Sequence, residues 1–334
     1  MKYRKFGNAG VELSSLCLGA MTFYERCDEQ TSIDIVRKAF DKGINFIDTA
    51  DAYGRGASEE FLAKALDGIR DDIFLATKFW VKMWPKRRNG GGCSRFHIVK
   101  AVDASLQRLK TDRIDLLQLH HPDPMVSAEE ILSTLDNLVK QGKVLYIGVS
   151  NHFAWQMAHL LGVSALHNWE PIVSIQARYN LLDRVVETEM VPFCQRFNIA
   201  MMAYGPQDGG VLTGRYKRGE PIDPKSRVGM IKSMQEKLTD ECFDILDKIQ
   251  AVADKYGMGM NQLAIKWILE QPFCVFPLVG GGKPEHFDPL YEVVDMEVDP
   301  ADIQYLTDLT KQYKFGEFQN QPMVAGTSAA LNRL

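Results

Sequence analysis

Apolar residues fall into eight short, almost uninterrupted runs along the chain: Leu16–Leu18, Ile44–Ile47, Ile73–Ala76, Ile114–Leu119, Val144–Val149, Ile172–Ile175, Ile199–Ala203 and Val275–Val279. Runs rich in Ile, Leu and Val with little polar alternation are typical of strands covered on both faces. Between them, apolar residues recur three or four apart: Ile33, Val36 and Phe40; Phe96, Val99, Val102, Leu106 and Leu109; Ile131, Leu135, Leu138 and Val139. That spacing predicts helices with one buried face. Strands alternating with helices predict an α/β protein with parallel pairing, closed into a (β/α)8 barrel or, as the alternative, opened into a doubly wound sheet. Ahead of this rhythm, residues 2–6 and 11–13 flank Gly7-Asn8-Ala9-Gly10 and predict an N-terminal β-hairpin.

Three stretches break the rhythm. Residues 85–95 are basic and glycine-rich and predict a mobile loop after the third barrel strand. Residues 205–235, after the seventh, carry glycines and prolines without a clean period, at a length typical of lids. Residues 312–334 form a polar tail. No linker composition divides residues 1–334, so the expectation is one TIM-barrel domain with long loops, for which ~250 residues is the usual core length. The composition, 46% hydrophobic and 25% charged, is that of a globular enzyme. The net charge of −4 offers no cationic footprint for nucleic acid. No apolar run reaches the ~20 residues of a membrane helix. Met1 to Phe6 lacks a signal-peptide core, which predicts a cytoplasmic protein. Six scattered cysteines include no Cys-x-x-Cys pair, so reduced, mostly buried thiols are expected, with no metal site.

The active site of a barrel lies at the C-terminal ends of its strands. Here the runs end in Asp48-Thr49-Ala50-Asp51-Ala52-Tyr53-Gly54, Thr77-Lys78, His120-His121, Ser150-Asn151, Gln176, Tyr204-Gly205 and Gly280-Gly281-Gly282-Lys283. Asp48, Tyr53, Lys78 and His120 make joint chemical sense. A free tyrosine titrates near pH ~10, and a lysine cation beside it favours the phenolate. An aspartate would keep that lysine charged and aimed, and a histidine would bond the substrate oxygen. Such a set protonates a developing alkoxide, with the hydride coming from a cofactor. Each residue also has a plainer reading. Asp48-Thr49 could cap a helix, Tyr53 and Trp80 could be packed aromatics, Lys78 a solvated strand end, Ser150-Asn151 a helix start, and His120-His121 a turn or a metal pair.

In this order, Phe46 to Gly54, Ala76-Thr77-Lys78, Ile114 to His120, Gly142 to Asn151, Gln176 to Leu182 and Leu212-Thr213-Gly214-Arg215-Tyr216 resemble the aldo-keto reductase family, from Arg4 to about residue 310. The insertion after Lys78 and Tyr179-Asn180-Leu181-Leu182 are similar to its bacterial branches, whose members reduce aldehydes, ketones or sugars. The resemblance implies a barrel that binds a nicotinamide dinucleotide, and no Gly-x-Gly-x-x-Gly follows any strand. It implies Tyr53 as the acid, Lys78 and Asp48 as its partners and His120 as the carbonyl orienter. Ser150, Asn151 and Gln176 would hold the carboxamide, and Tyr204 would stack on the ring. Met21, Gly205, Pro206, Gln207, Gly209 and Gly210 would line the cofactor. Gly280, Gly281, Gly282, Lys283 and His286 would take its phosphates, which favours NADPH, with NADH as the other cofactor the family allows. Tyr24, Trp80 and His121 would meet a small-molecule carbonyl or sugar substrate. A cofactor-binding auxiliary or sensor subunit is the second functional reading. Two departures stand out. Gln207-Asp208 lies where pyrophosphate is expected, so Asp208 faces outward, latches to Arg215, Lys225 or Arg227, or repels the cofactor. Pro289 and Leu290 replace the acidic residue and Asn that usually end the adenosine stretch.

Overall fold

The computed structural model describes residues 1–315, apart from Pro85 and Arg87. An antiparallel hairpin of β1 (Tyr3–Lys5) and β2 (Glu12–Ser14) opens the chain. There follow β3 (Cys17–Gly19), α1 (Glu29–Asp41), β4 (Phe46–Asp48), α2 (Ala57–Ala65), β5 (Phe74–Phe79), α3 (Arg95–Leu109), β6 (Ile114–Leu119), α4 (Ala128–Lys140), β7 (Val144–Ser150), α5 (Ala154–His167), β8 (Ile172–Arg178), α6 (Met190–Phe197) and β9 (Ala200–Tyr204). Two short helices, α7 (Arg227–Met230) and α8 (Lys232–Glu236), precede α9 (Asp240–Lys255), α10 (Met260–Leu269), β10 (Val275–Val279), α11 (Asp288–Glu292) and α12 (Pro300–Leu309). Strands β3 to β10 pair in parallel and close, β10 bonding both β3 and β9. The fold is therefore a (β/α)8 barrel and not the doubly wound sheet.

Each apolar run overlaps a strand, but β4, β5, β8 and β9 continue past the run into Asp48, Lys78, Arg178 and Tyr204. Polar side chains at the C-terminal strand ends point into the mouth, where a hydrophobic pattern stops and the backbone ladder does not. Helices start where Asp28, Ser94, Ser127 and Thr239 accept from the N–H groups of Thr31, His97, Glu130 and Cys242, which satisfies donors the helix leaves free.

The hairpin seals the N-terminal end of the barrel. Phe6 is fully buried, its ring 5.4, 5.7 and 5.3 Å from those of Phe46, Phe74 and Phe276 at the starts of three strands. Gly7 makes the approach possible: at φ +58 a Cβ would stand 2.7 Å from Ala200 N and Asn198 O.

Helix α3 corrects the periodicity reading. Phe96 and Val99 are 66% and 39% exposed. Its buried face instead carries His97, Ile98, Ala101, Val102 and Leu109. The polar-looking His97 packs edge-on against Trp84 at 5.7 Å. Residues 90–93 are held, not loose: Gly92 N donates to Trp80 O (2.7 Å) and Cys93 N to Asp123 Oδ2 (2.8 Å). Residues 205–235 are not patternless either, since they hold a 3-10 stretch at Asp208–Thr213 as well as α7 and α8. Most of the expected tail, from residue 316 on, lies outside the described residues. All six cysteines are free thiols, Cys274 alone being less than fully buried. No helix among the described residues is long and apolar enough to cross a membrane.

Candidate active site

Asp48 ends β4, Lys78 sits near the end of β5, and both are fully buried. Lys78 Nζ donates to Asp48 Oδ2 (2.6 Å), to Thr49 O (2.7 Å) and to Tyr53 Oη (3.2 Å). The other Asp48 oxygen accepts from Gln118 Nε2 (2.9 Å) and Gln176 Nε2 (2.8 Å). Gln118 escaped the sequence reading because the Ile114–Leu119 run passes over it; a lone amide inside an apolar strand was the available signal. Desolvation works against charge on Lys78, yet Asp48 and Tyr53 outweigh it and raise its pKa. Lys78 does lower the Tyr53 pKa as expected, but desolvation is larger and the net shift is upward. Tyr53 is thus a neutral phenol at pH 7, a proton donor and not a standing phenolate.

The loop that carries Tyr53 is built for one conformation. Gly54, Arg55 and Gly56 all take positive φ, and a Cβ on Gly56 would meet Arg108 Cδ at 2.7 Å. Glu59, buried on α2, accepts from Thr77 Oγ1 (2.7 Å) and from Arg108 Nε (2.7 Å). Asp51 is the exception, with both carboxylate oxygens buried and unpartnered. Desolvation, then the Glu59 charge, push its pKa well above 3.8. A carboxyl whose pKa is higher in the fold than in the unfolded chain costs stability as pH rises above 3.8. Asp51→Ala is expected to raise unfolding free energy by about 1–3 kcal/mol at neutral pH, with the gain shrinking in acid. Urea unfolding at the two pH values checks this, and a less stable variant at neutral pH would contradict it.

His120 faces Tyr53 edge-on, ring centroids 5.9 Å apart. Desolvation, then the Lys78 charge, depress its pKa well below 6.5, so the imidazole is neutral. Its Nδ1 is buried without a partner. His121 stacks on it at 5.1 Å, and Trp80 lies 4.9 Å from His121. No group of three or more His, Cys, Asp or Glu that could hold a metal gathers among the described residues. Ser150 Oγ donates to Gln176 O (3.0 Å). Asn151, left-handed at φ 60, donates to His120 O (3.0 Å) and accepts from Tyr204 Oη (3.0 Å). Asp48, Tyr53, Lys78, His120, Ser150, Asn151, Gln176 and Tyr204 therefore form one connected patch.

The remaining expected residues ring it. Tyr24, 62% exposed, covers Gly54, where a Cβ would meet it at 2.9 Å. Met21 is exposed beside Thr22, which donates to Gly281 O (2.8 Å) and so ties the first loop to the end of β10. Gly282 N donates to His286 Nδ1 (3.3 Å), and Lys283 is exposed beside it. Leu290 is core, and Pro289 O accepts from Gln262 Nε2 (2.8 Å), so neither departure presents a polar side chain to a ligand. Pro206 is buried, and Gln207 O caps the Gly209-Gly210 turn by accepting from Gly210 N (2.9 Å) and Leu212 N (3.1 Å). Asp208 corrects every outward reading. It is fully buried and pairs with Arg178 at the end of β8 and with Lys237 Nζ (2.6 Å), not with Arg215, Lys225 or Arg227. Arg227 instead stands near Arg26 and Arg178, and desolvation plus those like charges lower its pKa. A polyanion would relieve that repulsion, so the residues present fit a dinucleotide phosphate.

A closed parallel barrel with a buried Lys–Asp pair on a tyrosine phenol, facing a neutral histidine, is suited to proton transfer at an oxygen, and similarity to known proteins makes the chain an NAD(P)H-dependent oxidoreductase. A sequence profile described as Aldo/keto reductase family matches residues 15–311. Aldo-keto reductase YhdN of Bacillus subtilis is 35% identical over 309 residues, 90% of this chain and 91% of its own length. Versiconal hemiacetal acetate reductase of Aspergillus parasiticus is 31% identical over 331 residues, 92% of this chain and 96% of its own. A probable voltage-gated potassium channel subunit beta of Arabidopsis thaliana is 32% identical over 305 residues, 89% and 92% of the two chains. The chain belongs to the aldo/keto reductase family.

Proposed function

We propose that this protein reduces an aldehyde, ketone or sugar carbonyl with NADPH, Tyr53 giving the proton to the substrate oxygen. The observation that carries the reading is the Tyr53 hydroxyl, 3.2 Å from a fully buried lysine that is itself 2.6 Å from Asp48. The bound cofactor supplies the hydride. His120 donates a hydrogen bond to the carbonyl oxygen and orients it toward Tyr53. Lys78 stabilises the phenolate left behind, and Asp48, held by two amides, keeps Lys78 charged. Ser150, Asn151 and Gln176 bind the carboxamide, the Gln176 carbonyl oxygen being the part that Asp48 leaves available. The Tyr204 ring takes the nicotinamide face. The Gly205–Gly210 turn and Gly280–Gly282 let backbone approach the phosphates, with Lys283 and His286 at the 2′-phosphate. Trp80, His121 and Tyr24 form the mouth.

A panel of aldehydes, ketones and sugars assayed with NADPH and NADH side by side tests this. Turnover with NADPH preferred is expected. Lys283→Ala is expected to weaken NADPH about 10-fold and leave NADH unchanged, since a charge-assisted contact contributes ~1.5–3 kcal/mol. Equal weakening of both cofactors, or a native preference for NADH, overturns the phosphate assignment. Relatives named as potassium channel beta subunits favour the second reading, an auxiliary subunit with little turnover. Binding of NADPH without turnover on any substrate is the outcome that selects it.

A further inference from the structure

Gln118 interrupts the apolar run of β6 and is fully buried. Leu116, two residues earlier on the same strand face, belongs to the barrel core. In register, Gln118 pairs with Lys78 on β5 and with Gly148 on β7. Gly148 leaves room for the amide, since a Cβ there would stand 3.2 Å from Gln118 Cγ. Nε2 donates to Asp48 Oδ1 at 2.9 Å, and this is the one hydrogen bond of the side chain among the described residues. Oε1 is buried with no partner among them. Such an amide is a poor device for stability. A buried carbonyl without a partner destabilises the fold, and an apolar side chain of the same length would avoid that loss. Its presence is better explained by what it does to Asp48.

Asp48 Oδ1 accepts from Gln118 and from Gln176, while Oδ2 faces Lys78. The two amides are not equivalent. In the proposed reaction Gln176 also holds the carboxamide of the cofactor, whereas Gln118 serves Asp48 alone. Gln118 is thus the donor whose hold on Asp48 stays constant as the cofactor comes and goes. The Asp48 charge opposes a phenolate at Tyr53, and the Lys78 charge favours one. A donor on Oδ1 draws negative charge toward the oxygen remote from Lys78, which leaves the lysine freer to support the phenolate.

We infer that Gln118 is a positioning residue that acts through Asp48 and Lys78 on proton transfer from Tyr53 to the substrate oxygen. The inference rests on the carbonyl-reductase reading above. Without Gln118, Asp48 keeps Lys78 but concentrates its charge on that side. The phenolate left when Tyr53 gives up its proton is then less stable, and the proton is given up more slowly. Binding of the cofactor and of the substrate does not pass through this oxygen of Asp48 and stays as it was.

The test uses Gln118→Met, which keeps the length of the side chain and drops both polar atoms. With NADPH and the best member of the carbonyl panel, kcat is expected to fall about 3- to 10-fold, as when roughly half the worth of a charge-assisted hydrogen bond reaches Tyr53. KM and the NADPH dissociation constant are expected to stay within about 2-fold. The urea midpoint is expected to be no lower than that of the native protein, because the orphaned carbonyl leaves with the amide. In a Tyr53→Phe background, Gln118→Met is expected to cost no further turnover, since the group it acts on is gone. Gln118→Glu is expected to recover part of kcat: burial and the Asp48 charge keep the new carboxyl protonated at neutral pH, so that it still donates. Native kcat in Gln118→Met overturns the inference. A full further loss in the Tyr53→Phe background also overturns it, as does a lower urea midpoint with kcat and cofactor binding weakened in step. An active native protein with an equally active Gln118→Met removes the role of Gln118 alone, whereas no turnover of any carbonyl compound by the native protein removes the reductase reading itself.

Discussion

Tyr53→Phe is expected to lose about 10²- to 10⁴-fold in kcat on the best carbonyl substrate and to keep its cofactor affinity, because in the proposed reaction the phenol acts on the substrate oxygen alone. The variant removes one oxygen from a site whose other contacts are independent of it: Lys78 retains Asp48 and the Thr49 carbonyl. The pH profile gives a second readout. The Tyr53 and Lys78 pKa values are raised and that of His120 is depressed, so none of the three changes charge between the ordinary histidine and tyrosine values of 6.5 and 10.0. The kcat for reduction is therefore expected to be flat across that window. Near-native turnover in Tyr53→Phe, or a steep limb inside the window that the substitution leaves in place, would remove Tyr53 from its role.

Asp208→Asn releases NADPH about 10- to 100-fold faster, by stopped-flow fluorescence. Asp208 stands near the beginning of the 205–237 segment and Lys237 at its end, while Arg178 belongs to the barrel wall. One carboxylate thus fastens both ends of the segment to β8. Charge-assisted bonds contribute ~1.5–3 kcal/mol each, and the amide keeps shape without charge. Desolvation opposes ionisation of Asp208, but Lys237 and Arg178 outweigh it and hold the carboxyl below 3.8. Its contribution is present above that pH and lost as pH falls through the depressed value. The stability gap between native protein and variant is therefore expected to close in acid. Tighter NADPH binding in the variant would instead mark Asp208 as bare repulsion toward the cofactor, and an unchanged release rate would leave it a residue of the fold only.

The barrel was legible because burial on both faces leaves strands as unbroken apolar runs, and the meeting of Asp48, Tyr53, Lys78 and His120 because each lies at or just after the end of such a run. What escaped was set by tertiary partners distant in sequence. Gln118 lies inside an apolar run, and only the convergence of β4, β6 and β8 on Asp48 gives it a role. His97 sits in the buried face of α3 because Trp84, from the preceding loop, covers it, and a helical period cannot register that. Asp208 was read through its neighbours in the chain, but its partners are 30 residues before it and 29 after it. The upward net shift at Tyr53 depends on depth, which residue type alone does not convey.

The hairpin that seals the barrel floor has a consequence for how the chain is made. Phe6 meets Phe276, and Arg4 donates to Val275 O (3.2 Å), a separation of 271 residues. The hairpin, made long before β10, is thus among the last elements to complete its packing. At ~5–20 residues per second, Phe6 and Leu13 wait tens of seconds for β10 to be synthesised. Throughout that interval Phe6 lacks the Phe276 ring that completes its cover, a natural foothold for a chaperone. A chain cut short before residue 276 would never lose that foothold, so incomplete products carry a mark that the finished protein hides.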